Sequence, residues 1–308
     1  MAVFALALAG VSCSSAPKAP DAVFEEKNKA AELSKMGDGY MVRALYAKAL
    51  QYYQDSLAAS QAVDDLEGAA AAYASMGRAY MAAKDPDSAE REYRNSQEYA
   101  RMALSGVARA NAKSGLGEVA FARGDKEGAL ALFEEAVAIA AAAAGKDDKA
   151  LAVALHDRGV AKAALGRSAE ALADLSSADS RNLKAKRWTE LGANRYAAAS
   201  TLAATGKTAE ALAAAVGALD ADKRGENSRA IPLDLAAAAS LSARLGKDAD
   251  AWDYWRRAFD SALAADDAAT VRKALTSLVG LAPKLERADE GKRYEALLAQ
   301  LDAAEKGK

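Results

Sequence analysis

Cys13 is the chain's only thiol and His156 its only imidazole. A thiolate or hydroxyl nucleophile activated by an imidazole would have to be assembled from these two residues, and such triad chemistry has no other source of base. One cysteine forms no disulfide framework, and one of each is too few for a zinc site built from cysteine and histidine ligands. The expectation is therefore a protein with no catalytic residue, no metal and no cofactor. An enzyme would need a different arrangement, a pocket in which paired carboxylates hold shifted pKa values.

Cys13 ends the apolar run Met1–Ser12, MAVFALALAGVS, which has the length of a secretory hydrophobic region and is far too short to span a bilayer as a helix. The small and polar stretch SSAPKAPDA follows it and reads as an extended tether. Gly10-Val11-Ser12-Cys13 resembles the lipobox of bacterial lipoproteins. The resemblance implies a signal peptide over 1–12, a lipidated Cys13 carrying acyl chains such as palmitate, and a linker over 13–23. It also implies a place in the bacterial cell envelope, at the outer membrane facing the periplasm, because Ser14 is not the Asp associated with inner-membrane retention. Gly10 departs from the usual Leu, and no Lys or Arg precedes the apolar run, as a start codon placed too far downstream would explain. An unprocessed Cys13 would instead mean a cytoplasmic protein.

Forty-one basic and forty-three acidic residues leave a formal charge of -2, without the basic excess that tracks phosphates, so nucleic acid is not an expected partner. The 308 residues are 52% hydrophobic but 6% aromatic, with alanine making up much of the difference and five prolines in all, the profile of a tightly packed helical protein. The elements that must position any site show in the chain's self-similarity. Ala49, Ala89, Ala129, Ala171, Ala211 and Ala251 recur with steps of 40, 40, 42, 40 and 40. Four residues after each stand Tyr53, Tyr93, Phe133, Leu175, Ala215 and Trp255, and seven after stand Ser56, Ser96, Ala136, Ala178, Ala218 and Ala258.

Twelve residues before each alanine the chain is again small, at Gly37, Gly77, Gly117, Gly159, Ala199 and Ala239. Five before, Gly124, Gly166, Gly206 and Gly246 mark helix ends in a left-handed conformation, while Ala44 and Lys84 make the first two turns irregular. Each unit reads as helix, short turn, helix. Two helices approach closely where neither bears a bulky side chain, and the large row is expected to fill space toward the next pair. A pair cannot bury its apolar face alone, so stability must come from stacking neighbours. Two extra residues before the fourth unit fall at Gly145-Lys146-Asp147-Asp148 and lengthen a loop.

Gly77, Tyr80, Ala89, Tyr93 and Ser96 resemble the tetratricopeptide repeat pattern, as do Gly37, Tyr40, Ala49, Tyr53 and Ser56, and Gly117, Gly124, Ala129, Phe133 and Ala136. The last three units keep the small positions and lose most aromatic ones. The resemblance implies an all-α, right-handed α-α superhelical solenoid of about six helix pairs over residues 24–263, with a period of about 40 where the family's is about 34. Residues 264–308, where the register fades, read as a capping helix pair. In that family the first helix of each pair lines the concave face. The offsets carry to Met41, Arg78, Met81, Asn111, Ser114, Glu118, Phe121, His156 and Tyr196 as partner-binding positions. Met81 and Phe121 beside Arg78 and Glu118 would form a groove for a peptide or helix. The Lys and Asn constellation with which chaperone-binding members hold a terminal carboxylate is matched only at Asn111. The resemblance thus implies a scaffold for protein partners. The alternative is an accessory component of a solute-transport or envelope-assembly system with a small hydrophobic ligand cavity.

Overall fold

The computed structural model describes residues 21–306 except 144, 146 and 147. Among the described residues the chain forms fourteen α-helices and a 3₁₀ turn (Pro283–Leu285), with no strand. The first three pairs are α1 (Asp21–Val42) with α2 (Tyr46–Gln61), α3 (Leu66–Ala82) with α4 (Pro86–Met102), and α5 (Gly106–Ala122) with α6 (Lys126–Ala143). The next three are α7 (Lys149–Ala164) with α8 (Ser168–Lys184), α9 (Trp188–Ala204) with α10 (Thr208–Arg224), and α11 (Ile231–Arg244) with α12 (Asp248–Ala264). A seventh pair, α13 (Ala268–Leu281) and α14 (Ala288–Lys306), closes the C-terminal end. The chain is already helical at Asp21, three residues before the expected onset.

The forty-residue period is twice a twenty-residue one. Helices such as α3, α4, α5, α9 and α10 have 17 residues each, and a three-residue turn completes the step. The turn geometry is uniform where the residues are not. Gly124, Gly166, Gly206 and Gly246 have φ between 71° and 87°, and Ala44 (56°) and Lys84 (62°) adopt the same left-handed turn without glycine. Asp85 N–H donates to the Tyr80 carbonyl at 2.9 Å and Lys84 N–H to that of Met81 at 3.0 Å, the paired bonds that close a helix C-terminus. The two turns expected to be irregular are therefore regular. The register also persists into the last pair, with Glu286 left-handed (φ 56°) forty residues after Gly246, and Gly291 at the small position, packed on Ala282.

All six alanines of the repeat are fully buried, and so is the large row, Ala215 included. Its aromatic members do not simply reach toward the next pair. Tyr53, Tyr93 and Phe133 lie against the glycines of their own pairs, where a Cβ added at Gly37, Gly77 or Gly117 would come within 2.5, 2.7 and 2.4 Å of the ring. Tyr93 is pressed from the other side by Gly115 of the next pair, whose Cβ would stand 2.2 Å away. The small row thus admits a ring at the centre of each pair. Ser56 and Ser96 donate to the carbonyls of Ala30 and Ala70 at 2.8 Å, tying the second helix back to the first.

Each helix packs on its predecessor and successor, and odd-numbered helices also pack on one another, which places them on the inner wall. α5 and α7 are close, whereas α9 and α11 are splayed. The sequence explains the gap. Forty residues after Trp188, which opens α9, stands Ser228, yet α11 begins only at Ile231 because Pro232 is tolerated in a first turn and not further in. The inner wall lacks a helical turn there.

Candidate functional site

The inner wall carries two polar groupings. The first is a ladder across α1, α3, α5 and α7. Asp38, Arg78 and Glu118 occupy equivalent positions forty residues apart, and Arg78 stands 3.8 Å from Asp38. The Tyr53 hydroxyl donates to Asp38 at 2.7 Å, and the Tyr93 hydroxyl donates across the pair boundary to Glu118 at 3.3 Å. Burial and these carboxylates push both phenols well above their usual range. Burial raises Glu118, with Tyr93 and Arg78 opposing it. Asp157 on α7 is raised further, by burial and then by Glu118, with Ser114 opposing, and its Oδ2 is buried without a hydrogen-bond partner.

The second grouping lines a cavity of about 560 Å³ between α7, α9 and α11, at the missing turn. Val160, Ala163, Ala193, Ala197, Ala204 and Leu233 make its wall largely apolar. His156 is on one side, and its Nδ1–H donates to the Asn194 Oδ1 at 2.7 Å. Burial lowers the His156 pKa, so the ring is neutral, and Asn194 Nδ2 is left buried without a partner. On the other side are Asp222, from the last turn of α10, and Asp234, from the first turn of α11, each 1% exposed. Asp222 accepts from Asn227 Nδ2 at 2.7 Å and lies against Gly192, where any Cβ would come within 2.2 Å of its Oδ2. Burial and the neighbouring Asp222 push Asp234 up to about 8, so at neutral pH it is protonated and donates to Asp222. The Oδ2 of Asp234 has no partner, and Tyr196 is close enough for Asp234 to raise its phenol after burial does so.

Arg78, Ser114 and Glu118 thus gather in the ladder, and His156 and Tyr196 in the cavity. Met41, Met81 and Phe121 are half-buried and pack on the cores beside Tyr53, Tyr93 and Phe133 respectively, while Asn111 is exposed. Cys13 lies outside the described residues, as does the segment 1–20. The sequence offsets did not point to Asp38, Asp157, Asn194, Asp222 or Asp234. A second charged cluster, Arg158 and Lys162 on Asp174 at 2.7 and 2.8 Å, is fully paired within the fourth helix pair and holds α7 to α8. Trp252 and Trp255 are buried in the core of the sixth pair.

Stacked antiparallel pairs with small-residue seams and a polar inner wall define an α-solenoid of the repeat type. The tetratricopeptide repeat family model matches residues 108–178, within the third and fourth pairs, and the fold as a whole is that of a tetratricopeptide-like α-solenoid. BtubC (BKLC) from P. vanneervenii is similar at TM-score 0.64 and 15% identity, over 73% of this chain and 92% of that one. A Rap protein complexed with Competence and Sporulation Factor is similar at TM-score 0.64 and 13% identity, over 90% and 75%. PilF from Pseudomonas aeruginosa is similar at TM-score 0.56 and 19% identity, over 77% and 93%. At these identities the likeness is one of fold. No curated protein matches the chain by sequence.

Proposed function

We propose that this chain is a protein-binding scaffold of the bacterial cell envelope, held to a membrane by lipid on Cys13 and engaging a partner polypeptide on its concave wall. The observation that carries the reading is unused hydrogen-bonding capacity on that wall: Asp157 Oδ2, Asn194 Nδ2 and Asp234 Oδ2 are buried without partners, on three successive first helices. Buried polar groups are nearly always paired, and exceptions of both kinds on successive first helices suit a ligand that offers donors and acceptors, as an extended peptide backbone does. The Rap protein of similar fold holds Competence and Sporulation Factor, which lends support at the level of architecture.

The way the carboxyl pair is held supports binding rather than catalysis. An acid–base dyad needs both groups within reach of a substrate, but Asp222 is occupied by Asn227 and Asp234 and covered by Gly192, which leaves one oxygen of Asp234 for the cavity. The test is crosslinking in cells with capture through this chain, followed by identification of the captured proteins. Arg78→Ala and Glu118→Ala are expected to reduce capture of the true partner. If both variants capture the same set at the same yield, the concave wall is not the binding surface. Mass spectrometry of membrane-derived protein is expected to show an acylated Cys13 at the N-terminus, and an intact Met1 would remove the anchor. The cavity favours a second reading, in which the scaffold also handles a small apolar ligand as an accessory of solute transport or envelope assembly.

A further inference from the structure

The cavity between α7, α9 and α11 is close in size to a small-molecule site, and its one chemically distinctive feature is a buried acidic pair without a cationic partner. None of its lining residues is a lysine or arginine. Arg229, next to the lining residue Ala230, turns instead toward the Val42 carbonyl at 3.5 Å. Asp234 is 1% exposed with Oδ2 unpartnered, and Tyr196, 38% exposed, is near enough to feel its charge. Each possible ligand class meets this arrangement differently. A carboxylate would face the charge the pair shares. A purely apolar molecule would leave the carboxyl oxygen unsatisfied in a drier site. A protonated amine would supply N–H donors and the missing positive charge, with its apolar body against Val160, Ala197 and Leu233 and the Tyr196 ring available to the cation.

We infer that this cavity is a binding site for a small organic amine, an apolar body carrying an ammonium group that docks on the unpartnered oxygen of Asp234 and is matched by the charge the pair shares with Asp222. The inference rests on the second reading above, that the cavity takes a small ligand, and adds the ligand's chemical class. Gly192 is part of the design, since only glycine at that position lets the Asp222 carboxylate lie against α9 and meet Asp234. The late start of α11 is the other part, because it opens the wall where the pair sits.

Isothermal titration of the full chain with three probes of one shape separates the claims: 2-phenylethylamine, 2-phenylethanol and phenylacetate. The amine is expected to bind about tenfold more tightly than the alcohol, with the carboxylate weaker still. The double variant Asp222→Asn, Asp234→Asn, which removes the charge the pair shares, should bring the amine down to the level of the alcohol while its circular dichroism spectrum stays that of the parent. Ala193→Phe, at an exposed position of the cavity wall, should remove binding of all three probes. Equal binding of amine and alcohol, or an amine preference that survives the double variant, would overturn the amine assignment and leave the cavity as an apolar site. Failure of every probe to bind would overturn both the assignment and the ligand-cavity reading, while the protein scaffold would stand on its own capture test.

Discussion

Asp234 shows how one side chain links function to stability. A carboxyl with an ordinary pKa of about 3.9 in the unfolded chain and about 8 in the fold holds its proton more tightly when folded. Its effect on stability is therefore favourable or neutral in acid and becomes a growing penalty as pH rises from about 4 toward 8, constant beyond that. Asp222, raised by burial, shares the same hydrogen bond and adds to the trend, as do Glu118 and Asp157 on the neighbouring ladder. Asp234→Asn keeps the donor to Asp222 and removes the titration. We predict a gain on the order of several kcal/mol at pH 9 and almost none at pH 4.5, read as thermal denaturation of variant and parent at both values. An equal shift at both pH values would mean that Asp234 is not the buried acid. The repeat offsets made Arg78, Glu118, His156 and Tyr196 legible, since each stands at a fixed distance from a small residue. The acidic pair was not legible, because Asp222 ends one helix and Asp234 begins another, and charged residues at helix ends look solvated. Pro232 displacing the start of α11 from the register was the available sign.

At the scale of the element, the chain uses one turn many times and fills it with different residues. Glycine marked four helix ends in the sequence, but Ala44, Lys84 and Leu104 adopt the same left-handed geometry and left no mark, because the turn is imposed by stacking on both sides and overrides local preference. A non-glycine residue held there costs roughly 1–2 kcal/mol. Leu104, with φ of 53° and 89% exposed, makes little contact that would offset this. Leu104→Gly is expected to stabilise the chain by about 1 kcal/mol, less the entropy that glycine adds to the unfolded state, and Gly124→Ala to destabilise it by a similar amount. Urea denaturation of the two variants checks the pair, and a loss of stability in Leu104→Gly would show that its side chain matters more than its backbone. The aromatic rows were legible as a small-large-small pattern. Their partner was not, because pattern alone does not say whether a ring turns toward its own pair or the next, and Tyr93 is clamped from both sides.

The whole molecule is a line of pairs, each resting on its neighbours, and α14 covers the last of them. At the C-terminus α14 lays Tyr294 edge-on against Trp252 and Phe259, and Leu298 and Leu301 against Val271 and Leu275. Arg287, in the turn before α14, covers the Trp252 ring at 5.0 Å. Removing α14 would return these faces to water at a cost of several kcal/mol, roughly 1.5–3 for each large apolar side chain fully exposed. In a linear stack that loss is felt by the nearest pairs and fades with distance, since each unit is stabilised by its own neighbours. A chain ending at Glu286 is therefore predicted to exchange amide hydrogens faster in α11, α12 and α13 while α3 to α6 remain as protected as in the parent. Hydrogen exchange followed by mass spectrometry resolves these helices separately. Uniform acceleration from α1 to α13 would mean that the solenoid unfolds as one unit, and the Arg229 contact with Val42, joining the sixth pair's approach to the first, is the link through which such coupling would pass. The truncated chain also tests the cavity from a distance. Asp234 sits in the first turn of α11, so loosening that helix should weaken amine binding before it disturbs the Arg78 and Glu118 ladder at the other end of the wall.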